Sequence, residues 1–453
     1  MLSRARGGLL AAVALTLGAC GTAAPTASGD GLGGSGGSVA AAGEAPAHSG
    51  AGSTGVSGSI GAAGLAGSTS SGGSFGQAGS SSQVAGGGNA GASGASGSND
   101  SASGASGSFN TAGSAGMGGA GTGGSSGSAA RTGPCDIYES GKTPCAAAHS
   151  TVRALYGAFS GSLYQVRRAS DKTTKDVPVL EPLGFANASV QDSFCSDTTC
   201  TISIIYDQSP NGNHLKVSPV AHWLPNGGKE ANATSAKVTL SGQQVYGVYV
   251  AASAGGTAYR NNGTKGIATG DQPESMYMVV DGKRFNNQCC FDYGNAETTG
   301  NDDGNATMEA VYWGSDTTWG GKGDGSGPWV AADLENGVFK FNKGGWQSQS
   351  LSVPNAKSVI ATYATAMLKG PSGNKFGLKG GNAQAGALVT MWNGARPSGY
   401  SPMKKKGAII LGTGGDGSPS ANGTFFEGCM TSGNPSDEID DAVQANIVAA
   451  YGH

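Results

Sequence analysis

Residues 131–453 predict an all-β fold, a sandwich or barrel, on three observations. Short runs rich in Val, Ile, Tyr and Trp recur along this stretch, clusters of Gly, Asn, Asp and Pro separate them, and helical periodicity is confined to two places. The chain has 453 residues and a formal net charge of -3. With no extended basic run, nucleic acid is excluded as a partner class.

In chain order, the first segment reads as an export signal. Arg4 and Arg6 precede an apolar run from Leu9 to Leu17, too short to span a membrane, and Leu17-Gly18-Ala19-Cys20 has the form of a bacterial lipobox. In that motif the cysteine becomes the lipid-bearing N-terminus, so lipidation is expected at Cys20. Gly21 follows in place of an aspartate, which by similarity to bacterial lipoproteins favours the outer membrane or cell surface. Residues 21–130 are almost wholly Gly, Ser, Ala and Thr, with no Lys or Arg and with Asp30, Glu44 and Asp100 as the acids. Such a composition has too few bulky apolar groups to offset ordering entropy and predicts a disordered linker. A Gly/Ser coil of about 110 residues has a root-mean-square span of roughly 55 Å.

Within 131–453 a helix is expected from about Pro144 to Phe159, with Pro at its start. Strands are expected at 201–206, 245–250, 275–280, 306–313, 329–334, 359–368, 387–392 and 408–412. A second helix should start at Ser436, because Asp437, Glu438, Asp440 and Asp441 suit the positive helix end and Ile439, Val443 and Ile447 share one face. Lys404-Lys405-Lys406 is most simply a solvated turn.

Lipidation at Cys20 leaves seven cysteines in an oxidising compartment. Cys135 and Cys145 enclose a short loop, Cys195 and Cys200 enclose another, and Cys289 can reach its neighbour Cys290, which leaves Cys429 unpaired. Linking adjacent cysteines forces a strained eight-membered ring, and such strain collects at functional sites; two reduced thiols in a strand are the plain alternative. Cys195 and Cys200 lack a second ligand pair, so no metal is expected. His149, His214 and His222 are scattered and read as packing or capping residues.

With no metal motif, Gly-x-Ser-x-Gly elbow or catalytic cysteine signature, carboxylates are the natural chemical agents, as in glycoside hydrolysis. Asp333 and Glu335, two apart at the end of an expected strand, should share one face. Asp416, in the Gly-rich loop after the 408–412 strand, is the other acid that a scaffold could hold rigid yet open to substrate.

The words Gly-Pro-Cys-Asp-Ile-Tyr-Glu (133–139), Ala-His-Ser-Thr-Val-Arg-Ala-Leu-Tyr (148–156), Ile-Ile-Tyr-Asp-Gln-Ser-Pro-Asn-Gly-Asn-His-Leu (204–215), Cys-Cys-Phe-Asp-Tyr-Gly-Asn-Ala-Glu-Thr (289–298) and Gly-Ala-Ile-Ile-Leu-Gly-Thr-Gly-Gly-Asp (407–416) occur in that order. Residues 133–452 thereby resemble the catalytic domain of the α-L-arabinofuranosidase B family, glycoside hydrolase family 54. The resemblance implies a jelly-roll, concanavalin-like sandwich and a retaining exo-enzyme that removes terminal arabinofuranosyl groups from arabinan or arabinoxylan side chains. By position it implies Glu335 as nucleophile and Asp416 as general acid/base, with Asp416 neutral in the free enzyme. It implies a disulfide of Cys289 with Cys290 against the sugar, Trp319 as a pocket wall, and Asp333, Asn336 and Gly415 as sugar contacts. The implied mechanism needs no cofactor, and a monomer is expected, with arabinose-containing plant polysaccharides or oligosaccharides as partners and membrane contact only through the lipid. Relatives usually carry a C-terminal arabinose-binding trefoil module, whereas this sequence ends at His453. The competing expectation is a non-catalytic carbohydrate-binding or adhesive lipoprotein, since jelly rolls also serve lectins.

Overall fold

The computed structural model describes residues 131–452 apart from 183 and 253–255; the lipobox and the Gly/Ser segment lie outside the described residues. In chain order the elements that build the fold are α1 Pro134–Ser140, β1 Cys145–Ser150, β2 Ser162–Arg168, α2 Ala188–Phe194, β3 Cys200–Ile205, β4 Tyr259–Asn261, β5 Glu274–Asp281, β6 Asp292–Ala296, β7 Glu309–Gly314, β8 Trp329–Asp333, β9 Tyr363–Gly370, β10 Phe376–Asn382, β11 Val389–Gly394, β12 Ala408–Leu411, β13 Gly423–Ser432 and α3 Asp437–Tyr451. One sheet of seven strands runs β1-β13-β5-β9-β10-β11, with Val248–Val250 also on β13. A second sheet of twelve strands is centred on β8-β7-β6-β12-β4 and continues to β3 and β2. The pairings in both are antiparallel.

Alternation assigns the faces of the larger sheet. Val311 and Trp313 of β7, Val330 and Ala332 of β8, and Ile409 and Leu411 of β12 enter the main core with Met276, Met278 and Leu368 of the smaller sheet. Their neighbours Ala310, Tyr312, Ala331 and Ile410 belong to separate small clusters on the opposite face. That face is covered by loops, so β6, β7 and β8 are buried on both sides. Strands covered on both faces lose the in/out alternation of a half-exposed sheet.

The expected helix at 144–159 is not formed. Its first part is β1, whose Ala-rich run pairs antiparallel with β13, Ala148 opposite Cys429. Ala prefers helix by only a fraction of a kcal/mol, and pairing with a central strand overrides it. Two short helices, α1 and α2, occur where none was expected. The helix after Ser436 is present: Ser436 Oγ accepts from Ile439 N, and Val443 and Ile447 are buried. The lysine triplet is not a solvated turn, because Lys405 is buried with Nζ 2.8 Å from Glu309 and 3.3 Å from Glu274. Cys135–Cys145, Cys195–Cys200 and Cys289–Cys290 are disulfides, and Cys429 is a free, buried thiol whose burial raises its pKa well above the usual range.

Candidate active site

On the loop-covered face of the larger sheet lies a cleft of about 970 Å³. Glu335, Asp416, Cys289, Cys290, Trp319, Asp333, Asn336 and Gly415 all line it. Residues up to 127 positions apart in sequence are thus brought to one place, by four segments that flank neighbouring strands.

Strand β8 supplies the first carboxyls. Asp333 pairs with Ala310 of β7, which pairs with Gly294 of β6. Asp333 stays on the strand's outer face, but Glu335 lies beyond the strand, in a turn. Asp333 pairs with Val338, and Leu334 N donates to Gly337 O, leaving Glu335 and Asn336 as a two-residue connection with φ of 67° and 56°. Positive φ at both central residues marks the primed hairpin turn. The expected shared strand face for Asp333 and Glu335 is therefore replaced by a turn contact, Glu335 N donating to Asp333 Oδ1 at 3.1 Å. Left-handed backbone at a buried glutamate is a strain retained at functional sites.

The loop after β12 carries Asp416, whose Oδ1 accepts from Ser418 N at 3.0 Å and Ser418 Oγ at 2.5 Å. The same loop is tied to the cystine: Cys290 N donates to Ser418 O at 3.3 Å and Ser420 N to Cys289 O at 3.2 Å. Cys290 Sγ lies 3.3 Å from Asp333 Oδ2, and Cys289 packs with Trp319 against Tyr312, Ala331 and Val338. Sulfurs bonded to each other offer no thiolate to a metal. Trp319 N donates to Asp316 Oδ2 at 2.9 Å, and its ring stacks at 4.6 Å, tilted, on Trp346.

Burial dominates the electrostatics. It pushes Glu335 up to about 12, with Glu297 and Asp333 adding repulsion. Asp333 is raised to about 7 by burial, against the hydrogen bond it accepts from Glu335 N. Asp292 is held well above the carboxylate range by burial and then by Asp333.

Several cleft residues escaped the sequence reading. Trp223 and Trp346 expose more than half their surface at its rim, and His222 sits beside Trp223. His149 and His214 are packing residues: His149 bonds Tyr293 Oη and Asn213 O, and His214 Nδ1 accepts from Asp207 N. Asp292 and Glu297 lay inside the quoted word at 289–298, and their spacing from the cystine was the available signal. Arg260 carried no signal. Buried beneath the site, it donates from Nη1 to Gly415 O at 2.6 Å and from Nη2 to Glu297 O.

An antiparallel sandwich with carboxyls and tryptophans gathered in one cleft has the build of a glycoside hydrolase catalytic domain. The family model described as alpha-L-arabinofuranosidase B, catalytic, matches residues 134–452. The chain belongs to this family. It is 55% identical over 329 residues to the probable alpha-L-arabinofuranosidase B of Aspergillus terreus (strain NIH 2624 / FGSC A1156), covering 70% of this chain and 62% of that protein. To alpha-L-arabinofuranosidase B of Aspergillus niger it is 53% identical over 324 residues, covering 70% and 63%. Among solved structures it resembles a GH54 α-L-arabinofuranosidase soaked with a cyclic sulfate inhibitor, at TM-score 0.67 and 52% identity over 70% of this chain and 65% of that one. An arabinofuranosidase complexed with arabinofuranosyl-α-1,2-xylobiose matches at TM-score 0.66 and 51% identity over the same shares. The chain thus spans less than two thirds of the length of the curated relatives it matches.

Proposed function

We propose that this protein is a retaining, exo-acting α-L-arabinofuranosidase that releases terminal arabinofuranosyl groups from arabinan or arabinoxylan side chains. The observation that carries this reading is the convergence of Glu335, Asp416 and the Cys289–Cys290 cystine on one cleft in a chain about half identical to named arabinofuranosidases. Protonated Asp416 gives its proton to the leaving oxygen while the Glu335 carboxylate attacks the anomeric carbon. Asp416 then removes a proton from the water that hydrolyses the glycosyl-enzyme. Asp333, Asn336 and the Gly415 backbone would meet sugar hydroxyls, with Trp319 and the cystine as walls. Exposed Trp223 and Trp346 offer stacking faces to the leaving chain.

The sandwich is read as the jelly-roll, concanavalin-like type, and the protein as a monomer. Residues 1–20 are read as a lipoprotein signal with Cys20 as acyl acceptor, 21–130 as linker and 131–453 as the catalytic domain, anchored at the outer membrane or cell surface. Sequence alone supports the anchor; three disulfides fit an extracytoplasmic compartment.

An aryl α-L-arabinofuranoside tests the activity. Glu335→Ala should abolish turnover of every substrate. Asp416→Ala should spare the first step for activated leaving groups and be partly rescued by azide with an α-configured product. No turnover by the wild type would favour a binding protein, and azide rescue of Glu335→Ala with a retained, α-configured product would exchange the two roles.

A further inference from the structure

Next to the cleft, but not lining it, is a buried charge that the mechanism above does not use. Lys340 follows the two-residue strand Val338–Phe339, which pairs with β8, and is 1% exposed. The other buried lysines, Lys369, Lys379 and Lys405, each face a carboxylate at ion-pair distance. Among the described residues Lys340 has no such partner. Its Nζ donates instead to two main-chain carbonyls, Asp316 O and Gly321 O, at 3.0 Å each, and sits 5.2 Å from the centre of the Trp329 ring. A buried ammonium without a counter-ion costs stability, and these hydrogen bonds are what offset that cost.

The two carbonyls are the ends of the loop 316–321, and Trp319 lies between them. Trp319 N donates to Asp316 Oδ2 at 2.9 Å, Gly321 N to Thr317 O at 3.1 Å, and Val338 N to Trp319 O at 3.1 Å. Gly320 lies so close to the Val338 carbonyl that a Cβ there would collide with it, so the loop packs directly on the segment that leads to Lys340. We propose that Lys340 is a positioning residue for the sugar site: its ammonium clasps both ends of this loop and thereby holds the Trp319 ring at the wall of the cleft. The inference rests on the reading of Trp319 as a pocket wall. Such a clasp acts on binding, because Asp416 belongs to another loop and Glu335 is held by its own turn. Burial lowers the Lys340 ammonium to about 8, with Asp316 opposing. Asp316 is the charged side chain that acts on it; the Tyr312 hydroxyl, on β7, accepts from Asp316 N and is raised by burial far above that range, and β8 presents the neutral Trp329 ring. A lowered lysine keeps its charge below that pKa and loses it above, leaving a neutral amine that donates more weakly.

Lys340→Met keeps the bulk of the side chain and removes its donors. On an aryl α-L-arabinofuranoside near neutral pH the variant should raise KM about 10-fold, with kcat changed no more than several-fold. Because the effect runs through Trp319, the same substitution in a Trp319→Ala background should add little. KM increases that multiply across the two changes, an unchanged KM, or a loss confined to kcat overturns the inference. Should the Met variant not fold, the pH profile decides. KM of the wild type should then rise a few-fold between about pH 7 and 9 while that of Trp319→Ala should not, and parallel profiles overturn the inference. Hydrogen exchange at a single pH needs no turnover. Amides of 316–321 should exchange faster in Lys340→Met than in the wild type while those of β6 keep their rates; unchanged exchange in the loop overturns the clasp. A wild type without turnover in which Lys340→Met still loosens the loop removes the glycosidase reading and leaves the clasp standing.

Discussion

Glu335 and Asn336 occupy left-handed backbone at the tip of a tight hairpin, a place where Asn-Gly is the comfortable pair. Glutamate there is a choice of chemistry over conformation, and the Asp333 carboxylate steadies it by accepting from its N–H. Gly415 shows the reverse, a position kept bare so that Glu297 can approach. The cystine is built from two adjacent residues, so it closes a loop too small to restrict the unfolded chain appreciably. Cys289→Ala with Cys290→Ala should accordingly raise KM for an aryl arabinofuranoside more than it lowers the melting temperature. A mass spectrum of the non-reduced protein showing both thiols free would end that reading.

At the scale of elements, buried ion pairs lock α3 and the strand ends to the sheets. Arg153, just after β1, holds Glu427 in the middle of β13 through Nε at 2.6 Å and Nη2 at 2.7 Å, while Tyr277 and Tyr451 hydroxyls reach the same carboxylate. Arg153→Met would leave Glu427 buried without its cation, and the expected loss in denaturant-measured stability is about 3–5 kcal/mol. A loss below about 1 kcal/mol would mean that the tyrosines suffice. At the other end of the sheet, Asp437 at the start of α3 lies 2.8 Å from Lys369 and 2.7 Å from Lys379. Hydrogen bonds from those lysines depress it to about 2. A depressed folded pKa stabilises above the unfolded value near 3.9 and loses that contribution as pH falls toward 2. The aspartate is largely exposed, so the effect belongs to the range of about 0.2–1 kcal/mol of surface pairs. Asp437→Asn should be less stable than wild type by that much at neutral pH, with the gap closing between about pH 4 and 2; a gap constant with pH would show that the carboxylate charge is immaterial.

For the whole molecule, the expected consequence of the N-terminal reading is separable from catalysis. Cys20→Ser should release the protein from membranes in a partition assay, while residues 131–453 expressed alone should retain the turnover of the full chain. Membrane partition unchanged in Cys20→Ser would refute lipidation at that residue, and an inactive 131–453 fragment would refute its independence as a domain.

Much of this protein was legible in its residues. Turn-separated apolar runs indicated strands, and β5, β7, β8, β9 and β12 lie at or within a few residues of the expected places because burial of one face leaves a local mark. The acidic start and apolar face of α3 were equally local. Long words placed Glu335, Asp416 and the cystine together by resemblance. What tertiary structure alone decided is everything whose partner is distant in sequence. β1 looks helical until β13 pairs with it. β13 itself was missed because Glu427 breaks its apolar pattern, and that carboxylate is tolerated only because Arg153, 274 residues away, neutralises it. Lys405 resembles a surface lysine until Glu309 and Glu274 enclose it. Sequence spacing assigned Glu335 to a strand face, and only the fold showed it in a turn. The desolvation that raises Glu335 and Asp333 depends on how the fold buries them, and it leaves no periodicity in the chain.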